Sequence, residues 1–316
     1  MEINELKIKI SKTTQELELR ELLVIRFLKF ITLTKKYTSK ELIRVIGVPQ
    51  AHLYRLIHSF TDILETKSKY IEVKSSLVKK VNEYINKVIK ETKIDNQNIK
   101  NTLLRYQKLM PESDRDLDQF QATIRTVIRR VNKLANNGDL LNKKIAFLGD
   151  DDLTSIATAL TGQAKKITVF EIDDRLIKLI TQISTENNLD IEVIKQDLCQ
   201  SLDKKYFDQF DIVFTDPPYT KEGINIFLNQ AIKLISKNFL GRIYLSYGNS
   251  DRARERELEI QKLIIDHNLL IKTKIYQFSK YYGANSIGSS SSLYMLDWTP
   301  RTKMIKSTLK KIYTND

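Results

Sequence analysis

Acidic side chains recur just past short apolar runs in the second half of this 316-residue chain, and they are the residues best placed to do chemistry. Ile145-Ala-Phe-Leu-Gly149 runs straight into Asp150, Asp151 and Asp152, and a helical pattern over 153–160 follows at once. Strand, tight turn and helix form the unit at which open α/β sheets bind ligands. Three adjacent carboxylates repel one another and gain nothing structurally, which points to a cationic ligand. Glu171 and Asp173 follow a second run at 166–170, Gln196 and Asp197 a third at 191–195, and Asp216-Pro217-Pro218-Tyr219 a fourth at 211–215. In a parallel sheet these ends open onto one crevice, where Glu171 can take ribose hydroxyls. Gln196 and Asp197 stand where a side chain can hold an adenine amino group. At the fourth end two prolines fix the backbone. Asp216 and the Pro217 carbonyl can then accept hydrogen bonds from an amine, with Tyr219 as an adjacent flat wall. That arrangement suits transfer to nitrogen.

The elements that must position these residues can be read from periodicity. Strand-like runs at 144–148, 166–170, 191–195, 211–215 and 242–246 alternate with helical patterns at 153–160, 174–185, 224–235 and 252–267. This βαβα order predicts a Rossmann-like, doubly wound parallel sheet with helices on both faces. Two further strands, 270–277 and 292–298, are expected to pair antiparallel across 288–291. From Arg301 the chain is basic (Lys303, Lys306, Lys310, Lys311) and reads as a loose helix or tail.

Ahead of the sheet, residues 6–33 show helical spacing. Ser39 is placed to cap a helix, Gly47 breaks it, and Pro49 opens a second helix running to about Phe60. With the strand-like 70–73 this resembles a winged helix-turn-helix whose Arg55 and His58 face outward, either for DNA contact or as a dimerisation platform. A connecting helix at 81–91, a polar linker at 95–101 and a helix at 122–134 closed by Asn136-Asn137-Gly138 lead to the sheet. The expected domains are therefore 1–75, winged-helix-like; 76–137, a helical linker; 138–300, catalytic; and 301–316, a basic tail.

Composition sets the bounds. Hydrophobic content of 41% and charge of 29% describe a globular chain with a sizeable core. Apolar runs such as 22–25 fall far short of the ~20 residues of a membrane span. Met1 and Glu2 open no basic-then-apolar leader. The single cysteine, Cys199, excludes an intramolecular disulfide and a thiolate zinc site and fits a reducing cytoplasm. His52, His58 and His267 show no metal-ligand spacing, so no metal site is expected. The net charge of +13 is uneven. Residues 1–110 hold 22 Lys and Arg against 12 Asp and Glu, a balance of +10, whereas 150–219 hold 7 against 14, a balance of −7. The overall charge suits nucleic acid, but the local charge at the crevice suits a polycation.

The four acidic strand ends, in this order, are similar to the pattern of class I S-adenosylmethionine-type transferases. Nucleic-acid amino-methyltransferases share an Asp-Pro-Pro-Tyr segment, but their glycine-rich first loop accommodates the carboxylate of an amino acid. Here that loop offers Gly149 and three acids. Two carboxylates at ~4 Å repel by about 1–4 kcal/mol, depending on local dielectric. A donor with an ammonium end and no carboxylate is favoured, and decarboxylated S-adenosylmethionine is such a donor.

Asp118-Gln119, Gly138-Asp139-Leu140, Phe147-Leu-Gly-Asp-Asp-Asp-Leu-Thr-Ser-Ile156, Val169-Phe-Glu-Ile-Asp173 and Phe214-Thr-Asp-Pro-Pro-Tyr219 together resemble the branched-chain polyamine synthase family, the N(4)-bis(aminopropyl)spermidine synthases. The resemblance is dense over 118–235. It implies decarboxylated S-adenosylmethionine as co-substrate and no permanently bound cofactor, methylthioadenosine as product, spermidine or a longer polyamine as acceptor, and a homodimer. Asp216, Tyr219 and Asp151 are then expected to be catalytic. Gly149, Asp150, Asp152, Glu171, Asp173, Gln196 and Asp197 should hold the donor, and Asp150, Asp216, Pro217 and Tyr219 the acceptor. Two other expectations compete: an RNA or DNA amino-methyltransferase whose basic N-terminal domain holds phosphates, and a DNA-binding regulator that senses a polyamine or nucleoside.

Overall fold

The structure, a computed structural model, describes residues 3–32, 36–248, 254–283, 288–308 and 312–314. Met1, Glu2, Arg252, Lys310 and Lys311, used in the sequence reading, lie outside the described residues. Contacts divide the chain into two compact units, Met1–Lys93 and Ile94–Asp316.

The first unit holds α1 (Ile3–Glu16), α2 (Glu21–Thr32), β1 (Tyr37–Thr38), α3 (Ser39–Ile46), α4 (Gln50–Ser59), β2 (Leu64–Lys67), β3 (Tyr70–Val73) and α5 (Val78–Glu91). The helical span expected over 6–33 is two helices, because Glu18 adopts a left-handed φ of 50° between them. Thr38, not Ser39, caps α3: its side chain accepts from the Glu41 amide while Glu41 accepts from the Thr38 amide. This reciprocal box satisfies two otherwise orphaned donors, a contribution of about 1 kcal/mol. Gly47 ends α3 with φ +75°, and Val48 is buried in the turn before α4. β1, β3 and β2 form a small antiparallel sheet in that order. Leu53 and Leu56 of α4 and Val81 and Ile85 of α5 are buried.

The second unit is built from α6 (Asn96–Tyr106), α7 (Ile124–Asn136), β4 (Lys144–Leu148), α8 (Thr154–Ala159), β5 (Lys166–Glu171), α9 (Asp174–Glu186), β6 (Ile191–Lys195), β7 (Ile212–Thr215), α10 (Lys221–Leu234), β8 (Arg242–Tyr247), α11 (Arg254–Asp266), β9 (Leu270–Lys280) and β10 (Ser290–Asp297). The polar linker expected at 95–101 is the start of α6. Asp95 caps it, accepting from the amides of Gln97 at 3.0 Å and Asn98 at 2.9 Å, while Ile99, Leu103 and Tyr106 are buried along one stripe. Polar residues on the other face hid that stripe.

The seven strands run in the order β6-β5-β4-β7-β8-β10-β9. The first five are parallel, and β10 is antiparallel to both neighbours. Alternation along a strand feeds two cores. Ile145 and Phe147 of β4 pack with Val127 and Val131 of α7 and Ile180 of α9. Ala146 and Leu148 pack on the opposite face with Leu228 of α10 and Ile264 of α11. Truncating a fully buried ring such as Phe147 to alanine costs about 3–5 kcal/mol. β4 pairs with β5 on one side and β7 on the other, so the winding direction reverses there and a crevice opens at the carboxyl ends of those strands.

The expected connection at 288–291 is shorter than supposed: Ser290 and Ser291 already belong to β10. Past Arg301 the described tail is extended rather than helical. It runs along α10, where Asn229 exchanges hydrogen bonds with the Ile305 backbone at 2.7 and 3.0 Å. Buried His267 bridges the Lys303 carbonyl and the Asn225 side chain, a structural role.

Candidate active site

A cavity of about 700 Å³, including its open mouth, lies over the carboxyl ends of β4, β5 and β7. The turn after β4 builds its floor. Gly149 takes φ +71°, and a Cβ there would meet nothing within 4 Å, so glycine is required by the dihedral and not by space. Leu153 also takes a left-handed φ of 61°, unusual for a branched apolar residue. It sits 2% exposed, and its burial offsets backbone strain of about 1–3 kcal/mol.

The three carboxylates of this turn are not equivalent. Asp150 donates its amide to Glu171 Oε2 at 2.9 Å, and its carboxylate accepts from the amide and hydroxyl of Ser155. Asp152 accepts from the amide and hydroxyl of Thr154 and from Arg130 Nη1. Asp151 accepts only the Phe120 amide, at 3.0 Å, and has no ion pair among the described residues. Burial, then the neighbouring charges of Asp152, Asp216 and Glu171, hold the Asp151 carboxyl well above the usual carboxylate range. Asp150 is likewise raised by burial and by Asp152, against the pull of Ser155.

Glu171 ends β5 and accepts three backbone amides, those of Asp150, Ile172 and Asp173, at 2.8–3.0 Å. Burial nevertheless raises its pKa, so the amides only partly offset desolvation. Asp216, after β7, accepts from Arg130 Nη2 and the Tyr281 hydroxyl, each at 2.6 Å, and from the Tyr219 hydroxyl at 3.2 Å. Burial pushes Asp216 up, with Arg130 and Tyr281 opposing.

Arg130 organises this side of the cavity. It is 1% exposed, bridges Asp152 and Asp216, lies within 3.2–3.3 Å of the hydroxyls of Ser246, Ser279 and Tyr281, and stands 5.2 Å over the Phe214 ring. Burial alone would lower its pKa, but Asp152, Tyr281 and Asp216 outweigh it and keep the guanidinium charged. Among the described residues, six acids line the cavity (Asp118, Asp150, Asp151, Asp152, Glu171, Asp216) against Arg130 as the one cationic side chain in its wall. Several carboxylates so close cannot all ionise at small cost unless protons or a bound cation compensate them.

Most of the expected site residues meet here. Gly149, Asp150, Asp151, Asp152, Glu171, Gln196 and Asp216 line the cavity. Asp173, Asp197, Pro217 and Tyr219 do not. Asp173 caps α9, pairs with Arg175 and accepts Gln119 Nε2 at 3.0 Å. The Arg175 bond, with burial opposing, brings it down to about 2. Asp197 accepts the Cys199 amide at 2.8 Å. Tyr219 packs edge-on against Tyr247 at 5.7 Å and reaches the site only through its hydroxyl. Phe214, Phe227 and Pro218 are among the apolar residues that line the cavity.

Arg130, Tyr281 and Tyr313 escaped the sequence reading. For Arg130 a signal existed: it falls between Val127 and Leu134 at helical spacing, on the stripe that α7 buries. A cation on an apolar stripe must have a buried partner. Tyr281 and Tyr313 carried no such mark. Tyr313 reaches the cavity mouth, where the neighbouring Thr314 donates its amide to Asp118 at 3.0 Å.

A doubly wound, mostly parallel α/β domain with an acidic crevice at its switch point defines a class I transferase-like fold, the architecture of the methyltransferases that use S-adenosylmethionine. Residues 98–315 match the family described as the branched-chain polyamine synthase A C-terminal domain, and the chain belongs to that family. An uncharacterized protein of Methanocaldococcus jannaschii is 37% identical over 218 residues, 69% of this chain and 54% of that one. The N(4)-bis(aminopropyl)spermidine synthase of the same organism is 35% identical over 190 residues, 58% of this chain and 54% of that protein. The chain thus spans about half the length of these curated relatives. The branched-chain polyamine synthase of Thermus thermophilus, solved with N4-aminopropylspermidine and 5'-methylthioadenosine, is similar with a TM-score of 0.60 at 19% identity over 96% of each chain. At that identity the likeness speaks for the fold.

Proposed function

We propose that this chain transfers aminopropyl groups from decarboxylated S-adenosylmethionine to an internal nitrogen of spermidine or a related polyamine. The observation that carries the reading is the charge of the cavity: among the described residues, six acids and one arginine, the arginine already engaged by two of the acids. Such a wall attracts a polyamine and an ammonium-ended donor and repels a donor carboxylate. Family membership and an N(4)-bis(aminopropyl)spermidine synthase among the relatives support it.

In this reading the nucleoside half of the donor lies against Glu171 and Gln196, with Phe170, Ile172 and Leu198 as apolar walls. The acceptor nitrogen first loses its proton to Asp151, the carboxylate with no cationic partner and a raised pKa. Its lone pair then attacks the propyl carbon bonded to the sulfonium. The C–N bond forms as the C–S bond breaks, the bonding pair passes to sulfur, and methylthioadenosine leaves uncharged. Asp216, fixed by Arg130, Tyr281 and Tyr219, orients the amine through its remaining acceptor capacity. Replacing Asp216 by Asn should lower turnover at least tenfold while changing the fold little. The first unit reads as a winged helix, with α3 and α4 as the helix-turn-helix and the β2–β3 hairpin as the wing. A homodimer is also expected, checked by light scattering.

The test is incubation with decarboxylated S-adenosylmethionine and a panel of polyamines, read by mass for a gain of one or two aminopropyl groups. Calorimetry supplies a second reading. Tighter binding of S-adenosylmethionine than of its decarboxylated form would defeat the carboxylate-exclusion argument.

A further inference from the structure

We infer that the outer face of α4, with α3 and the tip of the β2–β3 hairpin, is a binding surface for duplex DNA. The inference is independent of the transfer chemistry, so either can fail without the other.

Along α4, Gln50, Ala51, Tyr54, Arg55 and His58 are exposed, while Leu53 and Leu56 are buried. At ~100° per residue these five side chains fall within an arc of about 140°, one continuous helix face. No acid occurs anywhere in α4. Its first turn has no side-chain cap, because Pro49 stands at the cap position, so no capping side chain claims its leading amides. Lys40 and Arg44 are also exposed, on the adjoining α3. At the hairpin tip, Ser68 adopts φ +58° in a two-residue turn between Lys67 and Tyr70, with exposed Lys67 and Lys69 on either side.

The acids of this unit that neighbour these elements are engaged. Glu41 is held in the cap of α3, Glu72 pairs with Lys36, and Asp62 pairs with Lys9. Glu65 draws on the surface through Lys67 at 2.8 Å, and Glu72 also acts on Lys67. Residues 1–93 carry 19 Lys and Arg against 11 Asp and Glu, a balance of +8.

Polarity selects the partner. Interface cores between stable subunits are depleted in charge and rich in apolar side chains. This face offers glutamine, arginine and histidine with one alanine and one tyrosine, and lysines at its rim. That is the pattern of base-edge readers flanked by phosphate contacts. Gln50 suits an adenine edge and Arg55 a guanine edge in a major groove wide enough for a helix. The deep, narrow major groove of duplex RNA admits no helix, so DNA is favoured.

The test is fluorescence anisotropy of the full chain with a labelled mixed-sequence 30-base-pair DNA duplex between 50 and 300 mM salt. Four phosphate contacts, from Lys40, Arg44, Lys67 and Lys69, predict a slope of log K against log salt of about −4. Lys67→Ala with Lys69→Ala should flatten it by about 2. Arg55→Glu should weaken binding at least tenfold, and none of these exposed substitutions should alter the melting temperature. Three outcomes overturn the inference: no binding at 50 mM salt, binding indifferent to these substitutions, or equal binding to single-stranded RNA. Light scattering guards against the remaining occupant. If Arg55→Glu turns a dimer into a monomer and leaves DNA binding unchanged, the face joins two copies of this chain instead.

Discussion

Replacing Arg130 by methionine tests the electrostatic logic of the cavity, because the side chain keeps most of its apolar bulk and loses its charge and donors. Arg130 is 1% exposed and ion-paired to two carboxylates, with side-chain exposures of 4% for Asp152 and 14% for Asp216. Removing one member of a buried charge cluster costs about 3–5 kcal/mol, because the partners left behind stay buried and unpaired. For a unit of this size each kcal/mol is worth about 2–4 °C, so a fall of about 6–20 °C is expected at pH 8. The loss should depend on pH in a defined direction. Without the guanidinium, Asp216 loses a partner that opposes its desolvation, so its folded pKa rises further above the unfolded value and the folded state binds that proton first as pH falls. Stability is then recovered on acidification, and the deficit at pH 5 should be smaller than at pH 8. Thermal unfolding followed by circular dichroism at both pH values measures this. Adding Asp216→Asn to Arg130→Met should return part of the loss at pH 8, since one orphaned charge is gone. Equal deficits at the two pH values, with no rescue by the second substitution, would mean that lost packing on Phe214 rather than charge explains the effect.

Other consequences follow from the same groups. Asp151→Asn should abolish the acidic limb of the pH–rate profile, which in the unaltered chain rises with pH as Asp151 ionises above the ordinary carboxylate range; the same substitution should raise the melting temperature at pH 8, by relieving a buried like charge. The ligand-free protein should gain stability as pH falls from 8 towards 6, because Asp150, Asp151 and Glu171 all have raised folded values and take up protons before the unfolded chain does. Spermidine should raise the melting temperature more at pH 8 than at pH 6, checked by scanning calorimetry; a larger effect at pH 6 would count against carboxylates as its binding partners. Gly149→Ala should cost about 1–2 kcal/mol from the left-handed dihedral alone, measured by urea titration, since no atom lies within 4 Å of the added methyl.

The sheet and its acidic rim were open to sequence reading because both rest on local signals. Apolar runs of four to six residues alternate with helical stripes, and each parallel strand from β4 to β7 ends in or beside an acid or amide that the sheet must carry to the same edge. Errors clustered where the signal was short or masked. β1 and β2 span two and four residues, too few to show a period, and α6 hid its apolar stripe among asparagines and glutamines. The basic tail gave no period at all, since its place along α10 is set by hydrogen bonds between the Asn229 side chain and the Ile305 backbone, which no periodicity of the tail encodes.

The roles of the acids needed the folded chain. Glu171 and Asp173 stand two residues apart, yet one gathers three amides over the cavity and the other caps a helix and binds Arg175. Asp150, Asp151 and Asp152 are identical in chemistry and adjacent in sequence, yet one holds the start of α8, one holds an arginine and one meets only the Phe120 amide among the described residues. An acid at a strand end is a property of the local chain. What that acid can do depends on which donors reach it. For Asp216 these are Arg130, 86 residues before it, and Tyr281, 65 residues after it, and only the packing of α7 and the segment following β9 against one sheet brings all three together.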